Sequence, residues 1–340
     1  MIRKSPLKGI WAAVLATVLL WGPAWPEVQR VAVVVGATEP EEVTPLPQPP
    51  SVSSAITELG LKLFHDVRLS GNDRVSCASC HHLNRAGGDG QPRPLDSDGR
   101  PLDFNAPTVF NAALNFRLNW RGNFRTLDEL TEAVLLDDRL MNTSWNEVIG
   151  KLQADPDYVR SFNEAYGSGP QRALVLDALA SFQRGLVTPD ARFDQYLRGR
   201  REAITAEEER GFQLFKSYGC VACHQGTNLG GNLFQKFGIF HEPPTRGTAP
   251  THANLGRYEI TGQKTDFQVF RVPSLRNVAV TAPYFHDGRS SSLHEAVAIM
   301  ARSQLGRNIP PQDIDAIVGF LATLTGTYDG RRLTSDMDVR

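Results

Sequence analysis

The sequence lacks an excess of charge, because 36 Lys and Arg residues stand against 37 Asp and Glu residues and leave a net charge of −1. A protein that binds nucleic acid neutralises phosphates with a basic surface, so this composition argues against a nucleic acid partner. Long apolar runs are missing too: the run at 9–21 is shorter than the roughly 20 residues that span a bilayer. Sustained alternation of apolar and polar residues is absent, which predicts few and short strands.

Cysteine is scarce, and all four cysteines fall in two Cys-x-x-Cys-His pentads, at 77–81 and 220–224. In this pattern two thiols add to the vinyl groups of a haem, while the adjacent histidine reaches the iron. A zinc half-site or a thioredoxin-like dithiol does not need the histidine, so its repetition argues against both. The sequence therefore predicts two c-type haems. The attachment residues would be Cys77, Cys80, Cys220 and Cys223, and the iron ligands His81 and His224.

Each pentad follows a similar passage, LKLF at 61–64 before the first and FQLF at 212–215 before the second. The repetition indicates a duplicated haem-binding unit, with an insertion before the first haem where the spacing is longer. We expect a mostly α-helical fold of two cytochrome-c-like haem domains packed against each other, with few short strands. The length allows each domain its own core, at 53–190 and 191–328.

Helix signals support this expectation. Thr205 and Glu208 form a capping box before the helix that leads to the second pentad. Ser292 and Glu295 do the same for a helix whose apolar residues recur at i, i+4 and i+7 and which ends near Gly306. Further helices are predicted at 127–137, 145–153, 172–187 and 312–324.

The N-terminus joins basic residues to the apolar run at 9–21, which is typical of an export signal. Residues 1–25 are predicted to be a signal peptide or, if uncleaved, a membrane anchor, and covalent haem fits a periplasmic location. Residues 26–52 are rich in proline and predict an extended linker, so the folded body would begin near Ser51. Residues 329–340 would form a tail.

The sixth position of each iron decides the function, because a saturated haem transfers electrons whereas an open one can bind peroxide. Methionine is scarce after the signal region, with only Met141, Met300 and Met337. Met300 lies on the apolar face of its predicted helix and is the best candidate ligand. The alternative is an ordinary core methionine, since methionine often fills gaps in cores.

Six passages resemble the bacterial dihaem cytochrome c peroxidases, and the resemblance covers about 51–326. The passages are LFHDVRLS at 63–70, PTVFNA at 107–112, VTPD at 187–190, LGGN at 229–232, LRNV at 275–278 and TAPYFH at 281–286. The resemblance implies an electron-accepting haem with His224 and Met300 as ligands in the C-terminal domain. It implies a peroxidatic haem in the N-terminal domain.

The resemblance also assigns residues between the two haems. Trp120 would act as an electron relay, the alternative being a buried packing residue. A calcium ion would bind at the domain interface near Asn105, Thr281 and Pro283, through oxygen atoms that suit a hard cation. Asn105 could instead cap a turn before Pro107.

The distal side of the first haem departs from this family. Many relatives carry a removable histidine ligand after the first pentad, but 83–104 contains none, so the first iron is open or bound by another side chain. His65 is such a candidate, and the alternative is a structural or surface histidine.

The family's distal glutamine and glutamate align with Leu130 and Leu140, which cannot transfer a proton. Nearby charges could substitute, or could be solvated at a helix end. These weak acid–base candidates are Glu129, Glu132, Asp137, Asp138 and Arg139.

Together these features predict a cytochrome c peroxidase that reduces hydrogen peroxide to water. A small cytochrome c or a cupredoxin would donate the electrons, and family members are often homodimers. A non-catalytic dihaem electron carrier or redox sensor is the alternative that the missing distal acid favours. Oxidation of a partner protein, as in MauG-type enzymes, is a third reading. Met300 argues against it because those enzymes have tyrosine at that position.

Overall fold

The computed structural model describes residues 42–96, 98–242 and 252–335. The α-helices in these residues are α1 (Ser54–His65), α2 (Leu127–Leu136), α3 (Trp145–Gln153), α4 (Pro156–Tyr166), α5 (Arg172–Arg184), α6 (Arg192–Leu197), α7 (Ala206–Tyr218), α8 (Tyr258–Thr261), α9 (Leu293–Leu305) and α10 (Pro311–Ala322). Two antiparallel strand pairs accompany them. They are β1 (Phe234–Lys236) with β2 (Val269–Arg271), and β3 (Thr327–Tyr328) with β4 (Arg331–Arg332). The mostly helical fold with few short strands is confirmed.

The first apolar cluster, called here the first core, forms where α1 crosses α5. Gly60 allows the close approach, since a Cβ at that position would overlap the Ala178 carbonyl oxygen. Apolar residues from α1, α3, α4 and α5 fill this core. Its buried members include Leu63, Phe64, Leu152, Phe162, Leu179 and Phe182.

The second core repeats this arrangement where α7 crosses α10. Here Gly211 faces the Ala316 carbonyl oxygen in the same way. Edge-on and tilted ring pairs dominate this core. They belong to Phe193, Phe212, Phe215 and Phe320. The division into two haem domains at residue 190 stays a prediction, although the two cores lie largely on either side of that position.

Helix starts follow the capping signals. Thr126, Ser144 and Thr205 each accept the backbone N–H three residues later, in a capping box with a glutamate. α5 ends at Arg184, three residues before the predicted end, where the Gly185 and Leu186 N–H groups close a tighter last turn on the Phe182 and Gln183 carbonyls. The expectations at 127–137, 145–153 and 312–324 agree with α2, α3 and α10 to within two residues.

The folded body begins earlier than the expected Ser51. Val43 is buried in the second core, and Leu46 is buried as well. The Leu46 N–H donates to Asp194 Oδ1 at 3.1 Å, and Arg276 donates to the Thr44 carbonyl at 2.9 Å. Part of the predicted linker therefore completes the fold, because it satisfies buried polar groups that lie far away in sequence.

The predicted tail at 329–340 also takes part in the fold. Leu333 is buried against the first core, and its N–H donates to the Gly326 carbonyl. The signal or anchor at 1–25 lies outside the described residues. Among those residues, no helix has the length and apolar character that crossing a membrane requires.

Candidate dihaem site

Both pentads have the same local geometry. In the first, residues Cys77–Ser79 form one 3₁₀ turn, and the His81 N–H donates to the Cys77 carbonyl at 3.0 Å. In the second, residues Cys220–Ala222 form the equivalent turn, and the His224 N–H donates to the Cys220 carbonyl at 3.0 Å. A 3₁₀ turn places residues three apart on one side, so each pair of thiols can face one haem edge.

The two proximal histidines are held by backbone carbonyls. His81 Nδ1 lies 3.2 Å from the Gly87 oxygen, and His224 Nδ1 lies 3.2 Å from the Leu229 oxygen. A carbonyl only accepts, so each Nδ1 carries the proton and each Nε2 is left free to bind a metal. Burial lowers the pKa of His81 and lowers that of His224 to about 4, which keeps both imidazoles neutral.

The cysteines are suited to a covalently attached apolar group. Burial raises the pKa of the Cys77 thiol to about 12 and that of the Cys80 and Cys220 thiols to about 11. Within the described residues there is no cluster of three or more His, Cys, Asp or Glu side chains of the kind that binds a simple metal ion. The donor set of two thiols and one neutral imidazole at each site therefore fits haem c better than zinc.

A central cavity of about 470 Å³ lies beside the second pentad. Cys220, Cys223 and His224 line it, and so does Met300 from α9. Gly230 lets the backbone pass close to the histidine, since a Cβ there would lie 3.3 Å from His224 Nδ1. The structure thus brings the predicted haem residues and the predicted sixth ligand to one space. The ligand role of Met300 stays a prediction.

Arg271 also lines the central cavity, and sequence reasoning missed it. Its side chain donates to the Asn119 and Val272 carbonyl oxygens, at 3.2 and 3.3 Å. Burial lowers the pKa of this guanidinium to about 10. A buried cation whose partners are neutral carbonyls fits a group that carries carboxylates, as haem does. An arginine between two short apolar runs gave no sequence signal for this role.

Trp120 lies in an apolar group called here the aromatic cluster. Its buried members are Trp120, Phe237, Phe270 and Ile299, and Phe104, Phe285 and Met300 pack against them. The Trp120 Nε1–H donates to the Asn105 carbonyl at 2.9 Å. This bond fixes the ring beside Met300 at the wall of the central cavity. The position suits the predicted relay, a role that stays a prediction.

His286 is a second candidate for a functional residue, and it contacts the aromatic cluster. Its ring stacks on Phe270 at 4.3 Å and meets Trp120 edge-on at 6.4 Å. Its Nε2 lies 2.9 Å from Asn254 Oδ1, and burial lowers its pKa to about 4. The TAPYFH passage included this residue, but its contact with Trp120 depends on long-range packing.

The three predicted calcium ligands are brought to the same cavity wall. Asn105, Thr281 and Pro283 all line it. The Asn105 amide donates to the Gln91 carbonyl at 2.9 Å, so its amide oxygen is the atom that could bind a cation. The calcium site itself stays a prediction.

The predicted acid–base candidates are engaged elsewhere. Glu129 accepts the Arg125 N–H at 2.7 Å and caps α2, while Glu132 accepts Trp145 Nε1–H at 2.9 Å. The ion pair with Arg172 is the main reason that the pKa of Glu132 is lowered, which makes it a poor proton donor.

The remaining candidates lie on the surface or in loops. Asp137 and Asp138 are exposed, and Asp137 accepts the Arg139 N–H. The Arg139 side chain donates to Asp103 and to the Pro101 carbonyl. His65, the speculative distal ligand, is exposed at the end of α1. These contacts give the charges structural roles, and none of the five acid–base candidates lines the central cavity.

Comparison with known proteins agrees with this geometry. A family model described as "Di-haem cytochrome c peroxidase" matches residues 54–202. Cytochrome c peroxidase Ccp of Escherichia coli K12 is 40% identical over 289 residues, which is 85% of this chain and 62% of that protein. The chain therefore spans about three fifths of the length of that relative.

Two further relatives match over most of their length. Cytochrome c551 peroxidase of Nitrosomonas europaea is 37% identical over 295 residues, which is 86% of each chain. The crystal structure of a MauG-like protein associated with microbial copper homeostasis superposes with a TM-score of 0.73 at 28% identity, over 89% of this chain and 99% of that one. The resemblance found in the sequence is confirmed. The chain belongs to the di-haem cytochrome c peroxidase family, whose members are oxidoreductases with two c-type haems.

Proposed function

We propose that the protein reduces hydrogen peroxide to two waters, with two electrons and two protons consumed in each turnover. The observation that supports this proposal most is that His224, Met300 and Trp120 all line the central cavity. A small cytochrome c or a cupredoxin would supply the electrons. The protein would work in the periplasm, because the predicted export signal and covalent haem both fit that compartment.

Electrons would enter at the second site. When bound, the haems supply iron that exchanges electrons and cleaves the peroxide bond. His224 is oriented by its bond to the Leu229 carbonyl, and Met300 offers a thioether from the same cavity wall. Histidine with methionine raises the potential of a haem, so this site would accept electrons from the donor.

Trp120 would carry electrons from the second site to the first. Its Nε1–H donates to the Asn105 carbonyl, which accepts a hydrogen bond but is too weakly basic to take the proton. An oxidised ring would therefore keep its proton, and electron transfer would need no coupled base. The neighbouring rings of Phe237 and Phe270 exclude water from the relay.

We also propose that a calcium ion binds near Asn105, Thr281 and Pro283. An ion at the Asn105 amide oxygen would stiffen the residue whose carbonyl holds the Trp120 ring. Removal of calcium with a chelator should then slow electron transfer between the haems while both haems stay attached.

A non-catalytic electron carrier or redox sensor is the second candidate. The observation that favours it is that Leu130 and Leu140 stand where the family has its distal glutamine and glutamate, and neither side chain can transfer a proton. Leu130, at the family's glutamine position, packs in an apolar cluster with Leu118 and Leu127. A carrier would exchange electrons with its donor and leave peroxide untouched.

The deciding experiment uses holoprotein with calcium, half-reduced so that only the high-potential haem is ferrous. We would mix it with peroxide and reduced cytochrome c in a stopped-flow spectrometer. Rapid, peroxide-dependent oxidation of the cytochrome supports the peroxidase. A first haem that ignores peroxide would establish the carrier or sensor instead.

Two tryptophan variants test the relay in the same assay. Trp120→Phe should slow transfer between the haems on the order of tenfold, which is about 1.4 kcal/mol of activation free energy. Trp145→Phe is the matched control, because Trp145 Nε1 donates to Glu132 and the side chain lies outside the central cavity. Equal rates in the two variants would remove Trp120 from the mechanism.

A further inference from the structure

Two stretches of the chain, 105–136 and 271–302, share one backbone plan. Each position in the second is numbered 166 higher than its counterpart (271 − 105 = 166). The matched pairs include Pro107 and Pro273, Thr108 and Ser274, Asn111 and Asn277, Gly122 and Gly288, Thr126 and Ser292, and Glu129 and Glu295. The match runs without a gap from Asn105 and Arg271 into α2 and α9.

The match extends to the backbone conformation. Asn111 and Asn277 both have positive φ, at 59° and 62°, and Gly122 and Gly288 do as well, at 64° and 63°. Positive φ is uncommon for residues other than glycine, so the shared asparagine positions are specific. One antiparallel bridge closes the same turn in each stretch. The bridges are Leu118–Phe124 and Tyr284–Ser290.

The two stretches also bind each other reciprocally. The Arg271 N–H donates to the Trp120 carbonyl at 2.9 Å, and the Asn105 N–H donates to the His286 carbonyl at 2.8 Å. Asn105 is the counterpart of Arg271, and Trp120 is the counterpart of His286. Such an exchange is the mark of a twofold axis, here an approximate one that passes near the Trp120 and His286 rings.

The helices that follow begin in the same register. Thr126 accepts the Glu129 N–H at the start of α2, and Ser292 accepts the Glu295 N–H at the start of α9. Eight residues after the cap, α9 carries Met300 (300 − 292 = 8) and α2 carries Val134 (134 − 126 = 8). Val134 is therefore the positional counterpart of the predicted iron ligand.

The surroundings of Val134 agree with this correspondence. Val134 packs against the first core, as do Cys77 and Ala78 of the first pentad. Leu130 lies one turn before Val134 on the same helix face. Its counterpart Ala296 lines the central cavity together with Met300.

We infer that Val134 occupies, over the first haem iron, the place that Met300 occupies over the second. This inference rests on the proposed role of the first haem as the peroxide site. An isopropyl group has no ligand atom, so α2 cannot close the first iron in the way proposed for Met300 of α9 at the second. The first iron stays open in both oxidation states beneath an apolar cap that admits small molecules such as hydrogen peroxide.

The test places a methionine at position 134, so that the first haem is offered the ligand that Met300 is proposed to give the second. In Val134→Met holoprotein, the first haem should change from high-spin to low-spin in its absorption spectrum. Its apparent affinity for cyanide should fall about tenfold if the new thioether is bound nine tenths of the time. Val134→Leu is the matched control, because it adds similar bulk without sulfur and should stay high-spin.

A second variant keeps the test decisive if Val134→Met fails to fold. Val134→Ala removes part of the cap, so imidazole should bind the first haem several-fold faster while cyanide binding changes little. The unchanged spectrum of the second haem reports correct folding in each variant. A high-spin Val134→Met protein with unchanged cyanide affinity, or equal imidazole rates in wild type and Val134→Ala, overturns the inference.

The outcomes separate this inference from the proposed function. If wild-type protein shows no peroxide turnover but Val134→Met becomes low-spin, the position of Val134 is right and the peroxidase proposal is wrong. If turnover is rapid but every Val134 variant behaves like wild type, the peroxidase proposal stands and the inference falls.

Discussion

The two haem-binding halves are built alike around the proximal histidine and differ in the side chain that stands eight residues after one helix cap, at Val134 and Met300. Each half has a helix crossing at a glycine, a 3₁₀ turn through its pentad and a backbone carbonyl that holds its histidine. α9 carries Met300 eight residues after its cap, whereas α2 carries Val134 eight residues after its own cap. Under the proposals above, this difference in one side chain separates an electron-transfer haem from an open one.

The largest expected effect comes from removing the methionine that distinguishes the second half. Met300→Ala should abolish the His/Met spectrum of the high-potential haem and lower peroxidase turnover on the order of 100-fold, or about 2.7 kcal/mol. Met141→Ala is the control, because Met141 is buried in the first core. It should lower stability by roughly 2–5 kcal/mol and leave that spectrum intact. An unchanged spectrum in Met300→Ala would exclude Met300 as a ligand.

The paired glycines test whether both halves depend on the same close helix crossing. Gly60→Ala and Gly211→Ala each force a Cβ against a backbone oxygen of the partner helix, and should each cost about 1–3 kcal/mol in the free energy of unfolding. Gly150→Ala, which has open space around it in α3, should instead stabilise the protein by about 0.5–1 kcal/mol. Denaturant unfolding of the holoproteins measures all three. If Gly60→Ala left the free energy of unfolding unchanged while Gly211→Ala lowered it, the α1–α5 and α7–α10 crossings would not be equivalent.

The effect that is smallest at neutral pH concerns the unlike residues at the approximate axis, Trp120 and His286. The pKa of buried His286 is lowered to about 4 from 6.5, so the unfolded chain binds more protons than the native one between these values. The free energy of unfolding is therefore unaffected by His286 above pH 6.5. It decreases as the pH falls from 6.5 toward 4, by at most about 1.4 kcal/mol per pH unit. His286→Gln should flatten this dependence in thermal unfolding. His294→Gln, at an exposed site, should leave it as in wild type.

The sequence allowed the local parts of the site to be predicted. The pentads, the capped helix that carries Met300 and the duplication all follow from spacings of a few residues. Trp120 and the calcium residues came from family resemblance alone.

The remaining features depend on contacts between distant parts of the chain. Arg271 gave no signal because its partners are backbone carbonyls, including one 152 residues away. The packing of Val43 and Leu46 was missed because a proline-rich composition does not reveal a distant pocket. α4 was missed although Asp155 and Pro156 form a capped start and its apolar face, with Tyr158 and Phe162, is buried in the first core.

The early start of the folded body has a practical consequence for producing the protein. Arg276 and Asp194 form a fully buried ion pair at 2.7 Å, and the segment before Ser51 supplies each of them with one further hydrogen bond. A chain shortened to Ser51 loses the Thr44 carbonyl and the Leu46 N–H. It therefore leaves charged groups short of partners inside the protein, at about 1–3 kcal/mol for each. Recombinant versions should keep residue 42 and everything after it.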